Sequence, residues 1–259
     1  MLVPIRSAWR RHAPPSLQVG VALFRRTVRD HLTGTARDIV APVRSQQPAQ
    51  FATRALNIVQ PIRKTAYWEG KLENLRIAAD RLNTIVLPPN RVLSFWRAVG
   101  APTEKNGFQI GRSIRSDAVS ADIGGGLCQI SGLLYETGLR AGLQVIERQA
   151  HTQDLYTDQT RFTPLGLDAT VVWGHKDVRL RNNADQSLRF HFEVAEDEIS
   201  ATLWSERPID LARLVINNDK VDESGSRVSV FRDIGSRRTL ISSDVYKTAA
   251  LTAQPALPA

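Results

Sequence analysis

The sequence predicts an α+β fold: a cysteine-bearing helix packed on a mainly antiparallel sheet, preceded by an N-terminal helical extension. Three observations predict it. Gly124, Gly125 and Gly126 run into a helical stretch, Ile130 to Ala141. From Asp168 onward, short runs alternate apolar and polar residues, as strands with one buried face do. Ahead of both, an amphipathic helical pattern leads into a Pro/Gln/Ser-rich stretch, Ala41 to Gln50, which reads as a linker. The chain thus divides into a basic amphipathic segment with its linker (residues 1–50), an α+β domain (51–250) and a flexible tail (251–259).

In the first segment Leu17, Val21, Phe24, Val28 and Leu32 recur at helical spacing, with Arg25, Arg26 and Arg29 beside them. The expected arrangement packs this stripe on the main domain and leaves the arginines in water. The alternative is peripheral contact with an anionic membrane surface. Val19 to Phe24 is too short and too far in for a secretory signal. No stretch approaches the roughly 18–20 apolar residues of a membrane span. A cytoplasmic or membrane-peripheral location is therefore expected.

Further along, Leu72, Leu75, Ala79, Leu82 and Val86 form a stripe that predicts a helix from Glu69 to Val86, stopped by Pro88-Pro89. Val92 to Trp96 reads as a short strand and Thr103 to Gly111 as a polar loop. Leu143 to Ala150 is β-like after the turn Ala141-Gly142. Strands are predicted to open at Asp168 and at Asp177, with a hairpin turn at Gly174 to Asp177. Leu188, Phe190, Phe192 and Val194 alternate with polar residues, which places His191 on a wet face. Ile199 to Ser205 and Arg213 to Asn217 continue the sheet, and Arg227 to Arg232 with Arg238 to Val245 form a hairpin around Gly235.

The net charge of +8 is uneven: residues 1–66 hold 11 Lys/Arg against 2 Asp/Glu, whereas the remainder is close to neutral. A nucleic-acid-binding core would show its basic residues across a folded module, so no nucleic-acid partner is expected. A single cysteine excludes an intramolecular disulfide, and five scattered histidines show no metal-ligand spacing. The glycine cluster lacks the Lys-Ser/Thr of a phosphate loop, and no GxSxG occurs. Neither a metal nor a cofactor is expected, and thiol chemistry is the enzymatic option that remains.

That chemistry has a place. Cys128 follows the glycines at the start of a helix, where free backbone N–H groups and the positive end of the helix dipole favour the thiolate. His151 ends the next strand-like stretch and is the candidate base. Asp168, opening the following strand, would orient the imidazole, with Asp177 as the alternative. Gly124, Gly125 and Gly126 would let a substrate approach the backbone, and the Cys128 N–H with Gln129 would receive the developing oxyanion. Papain-like and transglutaminase-like thiol enzymes share this order of glycine turn, cysteine helix, strand, histidine and acid. Arg112, Arg115 and Asp117 lie on the approach to the glycines and read first as solvated charge.

The same residues resemble the VanW-type proteins, a family named from glycopeptide-resistance gene clusters. The motifs are Gly124-Gly125-Gly126-Leu127-Cys128-Gln129, Leu134-Tyr135, Ala141-Gly142-Leu143, Glu147-Arg148 ahead of His151, Asp168-Ala169-Thr170-Val171 and Asp177 to Asn183. Val92 to Trp96 and Val99-Gly100 fit as well. The resemblance implies a cell-envelope or glycopeptide-resistance association, and with it a peptidoglycan-type peptide as substrate. Two functions follow. One is a cysteine hydrolase or transpeptidase acting on an amide bond. The other is a non-catalytic binding protein with a packed Cys128, in which Trp68, Trp96, Trp173 and Trp204 supply core or stacking surface.

Overall fold

The computed structural model describes residues 14–42, 51–64, 66–115, 118–154, 161, 163–222 and 225–248. Most of the predicted linker and the C-terminal tail lie outside the described residues.

The architecture is α+β with mainly antiparallel sheets. Strands β1 (Thr53–Pro61), β2 (Val86–Leu87), β9 (Leu188–Val194) and β10 (Glu198–Ser205) form an antiparallel sheet in the order β1-β10-β9-β2. In β9 the predicted alternation holds: Leu188, Phe190 and Phe192 are buried while Arg189 and His191 are not. Across the ladder Phe190 sits opposite Leu203 and Phe192 opposite Ala201. Each such large side chain contributes about 1.5–3 kcal/mol by leaving water.

Two helices pack on this sheet, α3 (Trp68–Leu82) against β9 and α5 (Leu127–Arg140) against β10 and β1. Helix α3 ends earlier than its apolar stripe predicts. Asn83 caps it, its side chain bonding Phe192 N and O at 2.7 and 2.9 Å, and the chain re-enters as β2. The strand predicted at Val92 to Trp96 is likewise split into β3 (Val92–Ser94) and helix α4 (Phe95–Val99). The Ser94 side chain caps α4 by accepting from Arg97 N at 3.3 Å.

β3 joins β6 (Gln144–Glu147) and β8 (Arg179–Arg181) in a small sheet, and β4 (Ile110–Arg115) pairs with β5 (Ala118–Ile123) as the hairpin that delivers the glycines. The last sheet runs β11 (Arg213–Asp222), β12 (Gly225–Ile234), β13 (Arg237–Thr248) and β7 (Gln153–Asp154). The predicted strand at Asp168 to Trp173 does not form. That segment joins no strand, with Thr170 N bonding Gln149 O at 2.7 Å, the Ser131 hydroxyl bonding Ala169 O at 2.8 Å and Val172 forming an isolated bridge to Lys176. Its backbone groups thus find local partners instead of a ladder.

The N-terminal helix α1 (Pro15–Leu32) docks through ion pairs and through Val19 and Leu23 against Gly174, and not by the predicted stripe, which corrects the packing expected from the sequence. Arg26 makes a two-pronged pair with Glu147 at 2.6 and 2.8 Å, and Arg179 makes another with Asp30 at 2.7 and 2.9 Å. Arg181 pairs with Asp38 at 2.8 Å in the short helix α2 (Thr35–Asp38). Those partners face one side of α1, so the stripe turns outward: Phe24 is 70% and Leu32 84% exposed. Among the described residues no helix is long and apolar enough to cross a membrane.

Candidate active site

Helix α5 is buried almost all round. From Leu127 through Leu139, Cys128 is the one residue left partly exposed. Such burial follows from its sequence, since Leu127, Ile130, Leu133, Leu134 and Leu139 reach the core on several faces. Cys128 therefore stands in the first helical turn at the one gap in that helix's packing, with its thiol against Val171.

His151 lies just beyond β6, where residues 149–151 run alongside 168–170. Its Nδ1 bonds Asp168 Oδ2 at 2.6 Å, and its backbone N–H donates to the same oxygen at 2.8 Å. With Nδ1 engaged, Nε2 is left for the thiol. The directional hydrogen bond of Cys128 Sγ goes to Val171 O at 4.0 Å, while the imidazole ring is close enough to set the thiol's protonation. The structure thus brings Cys128, His151 and Asp168 together.

The other oxygen of Asp168 is held just as firmly. Tyr246 Oη donates to Oδ1 at 2.5 Å and Arg148 Nη2 at 3.2 Å. Arg148 also donates through Nε to Asp168 O at 2.8 Å and through Nη2 to Gly166 O at 3.1 Å, and it pairs with Asp244. Gly166 N completes the mesh by donating to Tyr246 Oη at 3.0 Å. The acid that orients the histidine is itself fixed by the last strand, β13, and by an arginine whose side chain is only 4% exposed.

These contacts settle the charges. Burial raises the Asp168 carboxyl, but the His151 hydrogen bond and the Arg148 charge outweigh it and hold the group far below the usual carboxylate range. Burial lowers His151, yet its hydrogen bonds to Asp168 and Cys128 push it up to about 10. Burial likewise raises the Cys128 thiol, and His151 overcomes this to bring it below the ordinary value. Burial and the Asp168 charge raise Tyr246, so its phenol keeps its proton and donates it. Each group thus favours the charged form of the other, the imidazolium lowering the thiol and the thiol raising the imidazole.

Asp177 is not part of this group. It is 1% exposed and accepts from Ser94 Oγ at 2.7 Å, Trp96 N at 3.1 Å and Arg179 Nε at 2.9 Å. It ties α4 to the Arg179–Asp30 pair. Gln129 is also buried, its Nε2 donating to Pro61 O at 2.9 Å and its N–H to Gly126 O at 3.0 Å.

Of the glycines, Gly124 and Gly126 are partly exposed and Gly125 is buried. Asn74 Nδ2 bonds Gly125 O at 3.0 Å, and a methyl on Gly125 would stand 2.1 Å from Gly111 O. Two backbones touch here, and only glycine permits it. Gly125→Ala is expected to cost at least about 3 kcal/mol, read as a lowered denaturant midpoint. A stability within 1 kcal/mol of the parent, roughly the scale of a surface change, would contradict the contact.

Arg148, Tyr246, Asp244 and Gly166 were not legible as site residues. Arg148 sits in the Glu147-Arg148 motif, which is a signal of a kind. Tyr246 and Asp244 carry none, because they reach the site through strand pairing far along the chain.

Fold and site together define an α+β domain with a cysteine, a histidine and an aspartate converging at a helix start. Residues 70–204 match the family described as VanW like protein, and the chain belongs to the VanW family. It is 29% identical over 168 residues to "Uncharacterized protein YoaR" of Bacillus subtilis (strain 168), covering 65% of this chain and 51% of that one. It is 28% identical over 141 residues to "Vancomycin B-type resistance protein VanW" of Enterococcus faecalis (strain ATCC 700802 / V583), covering 54% and 51%. The chain therefore spans about half the length of these curated relatives. No solved structure matches it. The family match contains Cys128, His151 and Asp168 and stops ahead of Tyr246.

Proposed function

We propose that this chain is a thiol-dependent amide hydrolase or acyl transferase acting on peptidoglycan-type peptides. The observation that carries the proposal is the continuous connection from the partly exposed Cys128 through His151 to an Asp168 fixed by Arg148 and Tyr246. The order of cysteine helix, strand, histidine and acid, shared with papain-like and transglutaminase-like enzymes, supports it. The envelope association rests on family membership and on a relative named for vancomycin resistance.

The thiolate of Cys128 attacks the amide carbonyl, and the C=O π electrons move onto oxygen. The Cys128 backbone N–H, at the positive end of α5, receives that oxyanion; the Gln129 side chain is committed to Pro61 O instead. The imidazolium of His151 passes its proton to the leaving amine, the C–N bond breaks, and a thioester remains on Cys128. Neutral His151 then takes a proton from water or from an amine, which resolves the thioester and restores the thiolate. Asp168 holds the ring through both steps.

Incubation with purified disaccharide-peptide fragments, read by intact mass, tests this. The expected result is a covalent acyl adduct on the parent and none on Cys128→Ala. Identical spectra from both, with product released by neither, would exclude the thioester and leave the binding-protein reading.

A further inference from the structure

Two cations, Lys71 and Arg112, lie along the glycine loop that presents Cys128. The stem of Lys71, on α3, lies along Gly126, two residues ahead of Cys128: a methyl at Gly126 would come within 2.5 Å of Lys71 Cγ. One turn further on, Asn74 bonds Gly125 O and Gln109 O at 3.0 and 2.9 Å and accepts from Gln109 N at 2.8 Å. That fixes β4 against the loop, with Gly111 pressed on Gly125 and Arg112 next in line. The charges of Arg112 and Arg63 both bear on Lys71. Among the described residues, neither Lys71 nor Arg112 has a carboxylate partner. Burial, then Arg112 and Arg63, push Lys71 down to about 8, the mark of an ammonium without a counter-charge.

We propose that Lys71 and Arg112 form an anion subsite beside Cys128 that takes a carboxylate of the acyl-donor substrate. This rests on the thiol reading above and narrows it, because a peptide presented here must carry a carboxylate near the bond that is cleaved. An arginine supplies a planar fork for two carboxylate oxygens and the lysine a point charge. Bound carboxylate neutralises the cluster, and its pairing strengthens as the substrate excludes water.

The test uses two alkylating reagents of equal size, anionic iodoacetate and neutral iodoacetamide, on the full chain. Their rate ratio at Cys128 cancels the thiolate population and reports the local field. The ratio is expected to fall about fivefold in Lys71→Met, which keeps the stem on Gly126, and again in Arg112→Gln, and to survive in Lys71→Arg. High salt should erase the difference by screening. If both reagents react fast but the ratio is the same in parent and variants, the anion subsite is wrong and the thiol reading stands. If Cys128 is slow with both, the thiol reading fails and the subsite fails with it.

The outward face of α1 carries a separate site. Leu17, Phe24, Val28 and Leu32 are 40–84% exposed on one stripe, flanked by exposed Arg25 and Arg29. The opposite face is clamped by the Arg26–Glu147 and Asp30–Arg179 pairs, so the helix cannot roll to bury the stripe without breaking both. We infer that this face lies on an anionic lipid surface, which the flanking arginines complement in charge. Co-sedimentation with vesicles of phosphatidylcholine, with and without phosphatidylglycerol, tests it. Binding should require phosphatidylglycerol and be lost in the double variant Phe24→Asp/Leu32→Asp. Equal sedimentation with both vesicles, or an unaffected variant, would overturn it, as would a dimer in solution that the same variant dissociates.

Discussion

His151→Ala slows alkylation of Cys128 near neutral pH by about a hundredfold, since each unit by which the thiol rises above ambient pH removes tenfold of its reactive form. In the parent, His151 offsets the burial that would otherwise raise Cys128. Without the imidazolium only the Val171 contact still opposes burial, the largest cause, and the thiol is expected to titrate near or above its ordinary value of 9.0. The two proteins should converge at strongly alkaline pH, where both thiols are ionised. Equal rates at neutral pH would show that the thiolate owes nothing to His151.

The alkaline side has its own limit. Leaving-group protonation needs the imidazolium, so amide cleavage should fall as pH rises through about 10. Stability follows the same proton. The folded state holds it more tightly than the unfolded chain does, so this contribution is complete below the ordinary 6.5 and disappears as pH rises through about 10. Asp168 acts oppositely. Its carboxylate is favoured by folding, so its contribution is present above the ordinary 3.8 and is lost on strong acidification.

The second large effect is on the fold. Arg148→Met is expected to cost about 3–5 kcal/mol, because removing one member of a buried ionic group strands the others. Asp168 and Asp244 lose their common cation, and Gly166 O and Asp168 O lose a donor. Denaturant unfolding measures this directly, and the midpoint shift should persist in high salt because the group is buried. A loss below 1 kcal/mol, roughly the scale of an exposed ion pair, would show that Arg148 is no keystone.

Much of this was visible in the sequence where local chemistry dominates. The alternation of β9 reports its buried face, and the glycines before Cys128 mark a helix entry that nothing bulkier could make. What failed was decided by distant partners. The stripe Leu72 to Val86 keeps helical spacing past Asn83, but the Asn83 side chain engages Phe192 and ends α3. The stripe of α1 looks like a core face until Glu147 and Arg179 claim the opposite side. Strand β1 has mixed burial and no clean alternation, so only its pairing with β10 defines it. Cys128, His151 and Asp168 could be named from order and spacing; Tyr246 could not, since β13 carries it to Asp168 from beyond the family's matched stretch.

The most direct measurement is the ultraviolet absorbance of the Cys128 thiolate as a function of pH, with Cys128→Ser as the blank. A thiolate already formed at neutral pH, lost only on acidification below the range of an ordinary thiol, is the predicted result. An absorbance that develops only near or above 9.0, the ordinary value, would contradict the ion pair and the acyl-transfer chemistry built on it.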